Sequence, residues 1–219
     1  AAAGHIVAFI DDDAITSDDW VDRILQEYNA RPLMTAGLGG PAYYAGSLWF
    51  QAEDNGISAD CQVKVSIASD EIGRNGWYRY NTGTNATFTR EAMRQFDGFD
   101  EQFDYFLDES EMCFRLQKAG RLIAYAPEVI VRHEFAKSHN RTGKFNYNWF
   151  TICKNTAYFI ATNSGLKGKK LESIIKKRME DERVAPLDEA VAKGELKQAD
   201  RDRHVEAIWK GVKQGLGDA

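Results

Sequence analysis

Three consecutive carboxylates, Asp11, Asp12 and Asp13, follow the apolar run from Ile6 to Ile10. Carboxylates grouped at the end of a buried strand repel one another unless a cation or strong donors lie between them, and a divalent ion is the natural resolution. An exposed acidic turn before a capped helix would use the same residues. His133 follows a second apolar run, Val129 to Val131, at a comparable position. Histidine is a frequent ligand where a carboxylate already holds a metal, so Asp13 and His133 form a candidate pair, although a lone histidine is more often structural. Asp108, Glu109 and Glu111 open a predicted helix, where the macrodipole favours negative charge. One carboxylate would suffice as a cap, and the lead-in through Phe103, Tyr105, Phe106 and Leu107 suggests partial burial. A partly desolvated carboxylate beside a cleft is a candidate general base. The stretch Asn81 to Asn85 is small and polar around Gly83; its backbone could approach a ligand closely, or it could be an ordinary loop.

These residues need elements to hold them. The run Ile6 to Ile10 suits a strand buried on both faces of a mostly parallel sheet, with the aspartates at its C-terminal edge. Thr16 to Asp19 supply capping residues for a helix in which Trp20, Ile24, Leu25 and Tyr28 recur at helical spacing. Gln62 to Ile67 alternates like a half-buried strand. Thr89 caps a short helix closed by the turn Asp97-Gly98, and Asp108 caps another with Met112, Leu116 and Ala119 on its inner stripe. Strands are predicted over Leu122 to Ala126 and Val129 to Val131, and a buried helix over Asn148 to Thr162. After Gly165 the composition turns to Lys, Glu, Asp and Arg. Residues 1–164 therefore read as one core and 165–219 as a charged extension with two amphipathic helices, one striped by Leu171, Ile174, Ile175 and Met179 and one by Val205, Ile208, Trp209, Val212 and Leu216.

The chain has 219 residues, 43% apolar and 28% charged, enough for one sizeable core. A net charge of -5 argues against general attraction to nucleic acid. Cys61, Cys113 and Cys153 are widely spaced and form no CxxC pair, which fits reduced thiols in a cytoplasmic setting. Neither a signal peptide nor a spanning run of 18 apolar residues is present in this sequence.

Taken in order, the pieces resemble the family 2 glycosyltransferases of the GT-A fold. The matching residues are Ile6 through Ile15 with the aspartates, Trp20, Gly39-Gly40, Gly83 through Phe88, Gly98 through Glu101, Leu107 through Glu111 with Arg115-Leu116 and Gly120, and Val131-Arg132-His133. The resemblance spans roughly residues 4 to 160. It implies a Rossmann-related mixed sheet flanked by helices, a nucleotide-sugar donor, Mn²⁺ or Mg²⁺, and an acceptor hydroxyl on a glycan or lipid-linked glycan. It places Asp11 and Asp12 near the nucleotide, Asp13 and His133 on the metal, and Lys137, Ser138 and Arg141 on a loop over the diphosphate. The helix-start motif usually reads Glu-Asp; here Asp108-Glu109 is reversed, so Glu109 is the positional match for the base. Gly83, Asn85 and Glu111 fall on the acceptor side. The Gln-x-x-Arg-Trp motif of processive synthases is absent, which favours single-sugar transfer.

The family normally begins with strands that grip the nucleotide base, about 80 to 100 residues by analogy with half of a dinucleotide fold. No segment here matches them, so the sequence reads as the later portion of the fold. The chain alone is then expected to be weakly active and to self-associate through the strand at Ile6 to Ile10. The basic stripe after residue 165 could rest on an anionic membrane or simply face water. Two other readings remain. One is a module that binds sugar nucleotides without turnover; the other is a haloacid-dehalogenase-like phosphatase, suggested by Asp11-x-Asp13 but opposed by Ile15 where Thr or Val is needed.

Overall fold

The structure, a computed structural model, describes residues 2–138 and 140–219. The chain divides into two compact units. The first contains residues up to Ser58, Gln62–Glu101 and Asp108–Ala136, and the second contains Ala59–Cys61, Gln102–Leu107 and Lys137–Ala219.

The first unit is mixed α/β, as expected. Its central sheet runs in the order β1 (Ile6–Phe9), β9 (Ala86–Thr89), β3 (Thr35–Gly39), β10 (Leu122–Tyr125). The first two junctions are antiparallel and the last is parallel. A second sheet has the order β2 (Ala14–Thr16), β11 (Val131–His133), β4 (Ala42–Tyr44), β5 (Phe50–Ala52). A small third sheet joins β7 (Val63–Lys64), β6 (Asn55–Ser58) and β8 (Trp77–Tyr80). Helices α1 (Trp20–Asn29), α2 (Arg90–Gln95) and α3 (Asp108–Lys118) complete the unit.

Two cores form on the central sheet. Phe88, Met112, Cys113, Leu116 and Ile123 make one; Trp20, Ile24, Leu38, Val129 and Val131 make the other. The register between β10 and β3 slips by one residue, so Ala36 and Leu38, two apart in sequence, join opposite cores. Burying a side chain as large as Phe88 is worth about 1.5–3 kcal/mol, and α3 is fixed to the sheet by such contacts. Gly40 is required by close approach: a Cβ there would lie 2.0 Å from the carbonyl oxygen of Val129.

Several elements differ from expectation. β1 is a half-buried edge strand rather than one covered on both faces, because its one ladder partner among the described residues is β9 and Ala8 and Ile10 face outward. The strand expected over Gln62 to Ile67 shrinks to two residues, since Cys61 and Ser66 take left-handed φ of 62° and 54° and interrupt the extended chain. Asp19 caps α1 with no side-chain bond and instead pairs with Arg23 at 2.8 Å. Thr89 does cap α2, accepting from the Ala92 N–H at 3.2 Å. β11 runs over Val131–His133, two residues later than expected, so His133 is the strand's last residue and not one beyond its end.

The second unit is helical: α4 (Trp149–Asn163), α5 (Gly168–Met179), a π-turn segment over Glu180–Val184, α6 (Ala185–Ala192) and α7 (Gln198–Asp218). Asn148 caps α4 by accepting from the Thr151 N–H at 3.2 Å. Helices α4 and α7 approach at backbone distance. A Cβ on Gly211 would stand 2.2 Å from the Phe150 carbonyl oxygen, and one on Gly215 would stand 2.1 Å from that of Lys154. By packing, the longest segment of the second unit begins at Lys137 and includes α4, whereas the composition changes only at residue 165. Arg178, buried on α5, reaches the excursion 59–61 by donating to the Cys61 carbonyl at 2.9 Å. All three cysteines are buried and unpaired with one another.

Candidate functional site

Asp13 and His133 are brought together by the pairing of β2 with β11, in which His133 lies opposite Ala14. The Glu134 N–H donates to the Asp13 carbonyl at 2.9 Å, and the Ala136 N–H donates to Asp13 Oδ2 at 2.7 Å. On the other side of β11, β4 carries β5 as its antiparallel neighbour. Gln51 on β5 sets its Oε1 2.7 Å from His133 Nδ1. An amide oxygen only accepts, so in this orientation Nδ1 bears the hydrogen and neutral imidazole offers its Nε2 lone pair. That nitrogen lies 2.8 Å from Asp13 Oδ1 and 3.5 Å from Asp11 Oδ2. Two anionic oxygens and a lone pair at such distances need a proton or a cation among them.

Asp11, Asp13 and His133 can each place one ligand atom within 4.8 Å of the others, the one such group among the described residues. Its oxygen-rich donor set with one imidazole suits a hard or borderline divalent ion such as Mg²⁺ or Mn²⁺. Burial pulls the Asp13 carboxyl upward, but the Ala136 N–H and, in its protonated form, the His133 ring outweigh it and hold the group below its ordinary range. Asp12, in the same turn, is exposed.

The second group of carboxylates sits in the first turn of α3, so Asp108 is a helical residue rather than the cap. The apolar side of α3, Met112, Cys113 and Leu116, is packed into the core and anchors the helix from whose first turn Glu109 projects. The Gly83 N–H donates to Glu109 Oε1 at 3.2 Å. Burial first, and then the charge and hydrogen bond of Asp108, push the Glu109 carboxyl well above its ordinary value. A cavity of about 330 Å³ is lined by Asp11, Gly83, Asp108 and Glu109 together with Phe9 and Phe99. One space is therefore open to a carboxylate of the metal cluster and to the proton-hungry acid.

Two residues expected on the acceptor side have their side chains bound within the fold. Asn85 is fully buried; its Oδ1 accepts from Trp20 Nε1 at 3.1 Å, and its Nδ2 donates to the carbonyls of Val129 at 2.7 Å and Pro41 at 3.3 Å. Glu111, also buried, is gripped by Arg115 at 2.8 and 3.0 Å, and the same guanidinium ties down the carbonyls of Phe96 and Gly98. Lys137 and Arg141 belong to the second unit, where Arg141 bridges to Ser138 and Tyr147. Gln51 and Phe99 escaped sequence reasoning as site residues. The only trace of Gln51 was a lone polar residue between Phe50 and Ala52.

Residues 1–151 match the family described as "Glycosyltransferase like family 2". Among curated proteins, the chain is 26% identical over 141 residues to the glucosyl-dolichyl phosphate glucuronosyltransferase of Haloferax volcanii, covering 60% of this chain and 43% of that protein. It is 27% identical over 139 residues to an O-antigen chain rhamnosyltransferase of Salmonella typhimurium, covering 63% of this chain and 42% of that one. The chain thus spans less than half the length of these curated relatives. Among solved structures, it is similar to the mannosyltransferase of Pyrobaculum calidifontis in complex with GDP-Man and Mn²⁺, at 16% identity and a TM-score of 0.45, over 98% of this chain and 61% of the other. With more than half of its residues matched to the family, this chain belongs to the family 2-like glycosyltransferases.

Proposed function

We propose that the chain forms the metal and acceptor side of a transferase that moves a sugar from a nucleotide-sugar to an acceptor hydroxyl in one inverting displacement. The observation that carries this reading is the single cavity on which Asp11 of the metal cluster and the Asp108-Glu109 pair both open. A divalent ion held by Asp11, Asp13 and His133 would neutralise charge developing on the departing nucleoside diphosphate. Asp11 and Asp12 are assigned to the nucleotide, and Lys137 and Arg141 to the diphosphate. Glu109 accepts the hydroxyl proton as the acceptor oxygen bonds to the anomeric carbon. The bond from that carbon to the diphosphate oxygen breaks, and its electron pair leaves with the diphosphate. Attack from the face opposite the leaving group inverts the configuration. The raised proton affinity of Glu109 makes it a stronger proton acceptor than an ordinary glutamate, as a base requires. Gly83 offers backbone at the acceptor side of the same cavity.

A glycan or lipid-linked glycan is the proposed acceptor class, supported by relatives named for a dolichyl phosphate and for an O-antigen chain. Peripheral contact with an anionic membrane through α5 belongs to the same proposal.

Asp13→Ala should remove metal-dependent nucleoside diphosphate binding in calorimetry. Glu109→Gln should keep that binding and slow transfer by about 10² to 10⁴, the usual scale for a lost general base. Unchanged binding in Asp13→Ala would remove the metal assignment, and an active Glu109→Gln beside an inactive Asp108→Asn would exchange the roles of the two acids.

A further inference from the structure

Phe106 and Leu107, immediately before α3, are consecutive residues with φ of 71° and 73°. Side chains with a Cβ rarely take the left-handed region, and they stay there only where surrounding contacts hold them. The contacts come from α4. Asn155 is fully buried, and its Nδ2 donates to the carbonyl oxygens of Tyr105 at 2.6 Å and Phe106 at 2.9 Å. Beside it, Lys154 pairs with Asp104 at 3.1 Å, and the Tyr158 ring meets Phe103 edge-on with centroids 5.3 Å apart.

The amide chemistry is specific. One NH₂ supplies two donors to two carbonyls, whereas a reversed amide would set oxygen against oxygen and a carboxylate would supply no donor. Asn155 Oδ1 finds no partner among the described residues, so this side chain carries an unsatisfied buried acceptor. A leucine of similar size would fill the space without that penalty. What leucine could not do is hold the two left-handed residues, and the peptide after Leu107 begins the turn that carries Glu109.

We propose that Asn155 is a positioning residue for Glu109, acting through the left-handed turn at Phe106-Leu107. The inference rests on Glu109 being the base. Asn155→Ala is expected to lower kcat by about 10²-fold, the scale of an ångström of misplacement, while donor KM and metal-dependent nucleoside diphosphate affinity stay unchanged. Adding Phe106→Gly, which removes the Cβ that resists a positive φ, should restore most of the rate. A role confined to holding α4 together predicts instead that activity falls only with the folded fraction and that glycine rescues nothing; either result overturns the proposal, as does an unchanged kcat. Should Asn155→Ala fail to fold, Phe106→Val tests the same turn, because Phe106 is 37% exposed and a β-branched residue opposes its φ. The same loss of kcat is then expected, and an unaffected kcat refutes the role. Full activity of Glu109→Gln would strike the assignment of the base itself, whatever Asn155→Ala does.

Discussion

A carboxyl group that binds its proton more tightly in the fold than in the open chain destabilises the native state wherever it must ionise. Glu109 is such a group, with burial as the main cause and Asp108 as the second. Between the ordinary glutamate value and the raised one, the native chain holds more protons than the unfolded chain. Stability is therefore complete below that window and declines as pH rises through it. Glu109→Gln keeps an acceptor for the Gly83 N–H and carries no charge. It is expected to melt at higher temperature than the parent above the window and at the same temperature below it; parallel melting curves at every pH would contradict the burial described here. With Glu109 as the proposed base, catalysis runs the other way, because a base works only when ionised. The rate should rise with pH through the raised value, and Asp108→Asn, by removing the like charge, should move that rise to lower pH in a kcat profile. At this scale the sequence was informative where charge itself was the signal, as in Asp11 to Asp13 and Asp108-Glu109. Gln51 was not legible, because an uncharged amide has meaning only through the β5–β4–β11 order that sets it beside His133.

Elements were legible where apolar spacing alone determines them. The spacing of Trp20 and Ile24, or of Met112 and Leu116, predicts helices that form much as expected. Strand assignments fared less well, since a run such as Gln62 to Ile67 is cut by backbone conformations at Cys61 and Ser66 that alternation does not reveal. Asn85 is the instructive case. Its polar neighbours pointed to ligand contact, yet its side chain joins α1, through Trp20, to the carbonyls of Pro41 and Val129. Asn85→Leu is expected to cost at least about 1–3 kcal/mol, the penalty for leaving a buried polar group unpaired. Denaturant titration should register that loss, while acceptor KM in the folded fraction stays unchanged. A shift in KM without loss of stability would return Asn85 to the acceptor side.

On the scale of the whole molecule, charge is unevenly spread. The chain is -5 overall, yet residues 167–179 carry six cations and one carboxylate. Lys169, Lys170, Lys176 and Lys177 are exposed on α5, whereas Arg178 is turned inward to Cys61 and Glu182. No helix among the described residues is long and apolar enough to cross a membrane. Contact with a bilayer through α5 would then depend on surface charge and weaken with salt. Co-sedimentation should increase with the anionic lipid fraction of the vesicles and fall when the four lysines become glutamate; equal sedimentation in all cases would leave α5 as a solvated face. The contact of α4 with Gly211 and Gly215 bears on how the protein can be trimmed. The last twenty residues contain none of the site's side chains, and a charged tail invites removal when a shorter protein is wanted. Yet α7 is the surface on which α4 rests, and α4 carries Asn155. Shortening the protein at its change of composition would leave every proposed reacting group and Asn155 itself in place, yet remove the surface against which α4 packs.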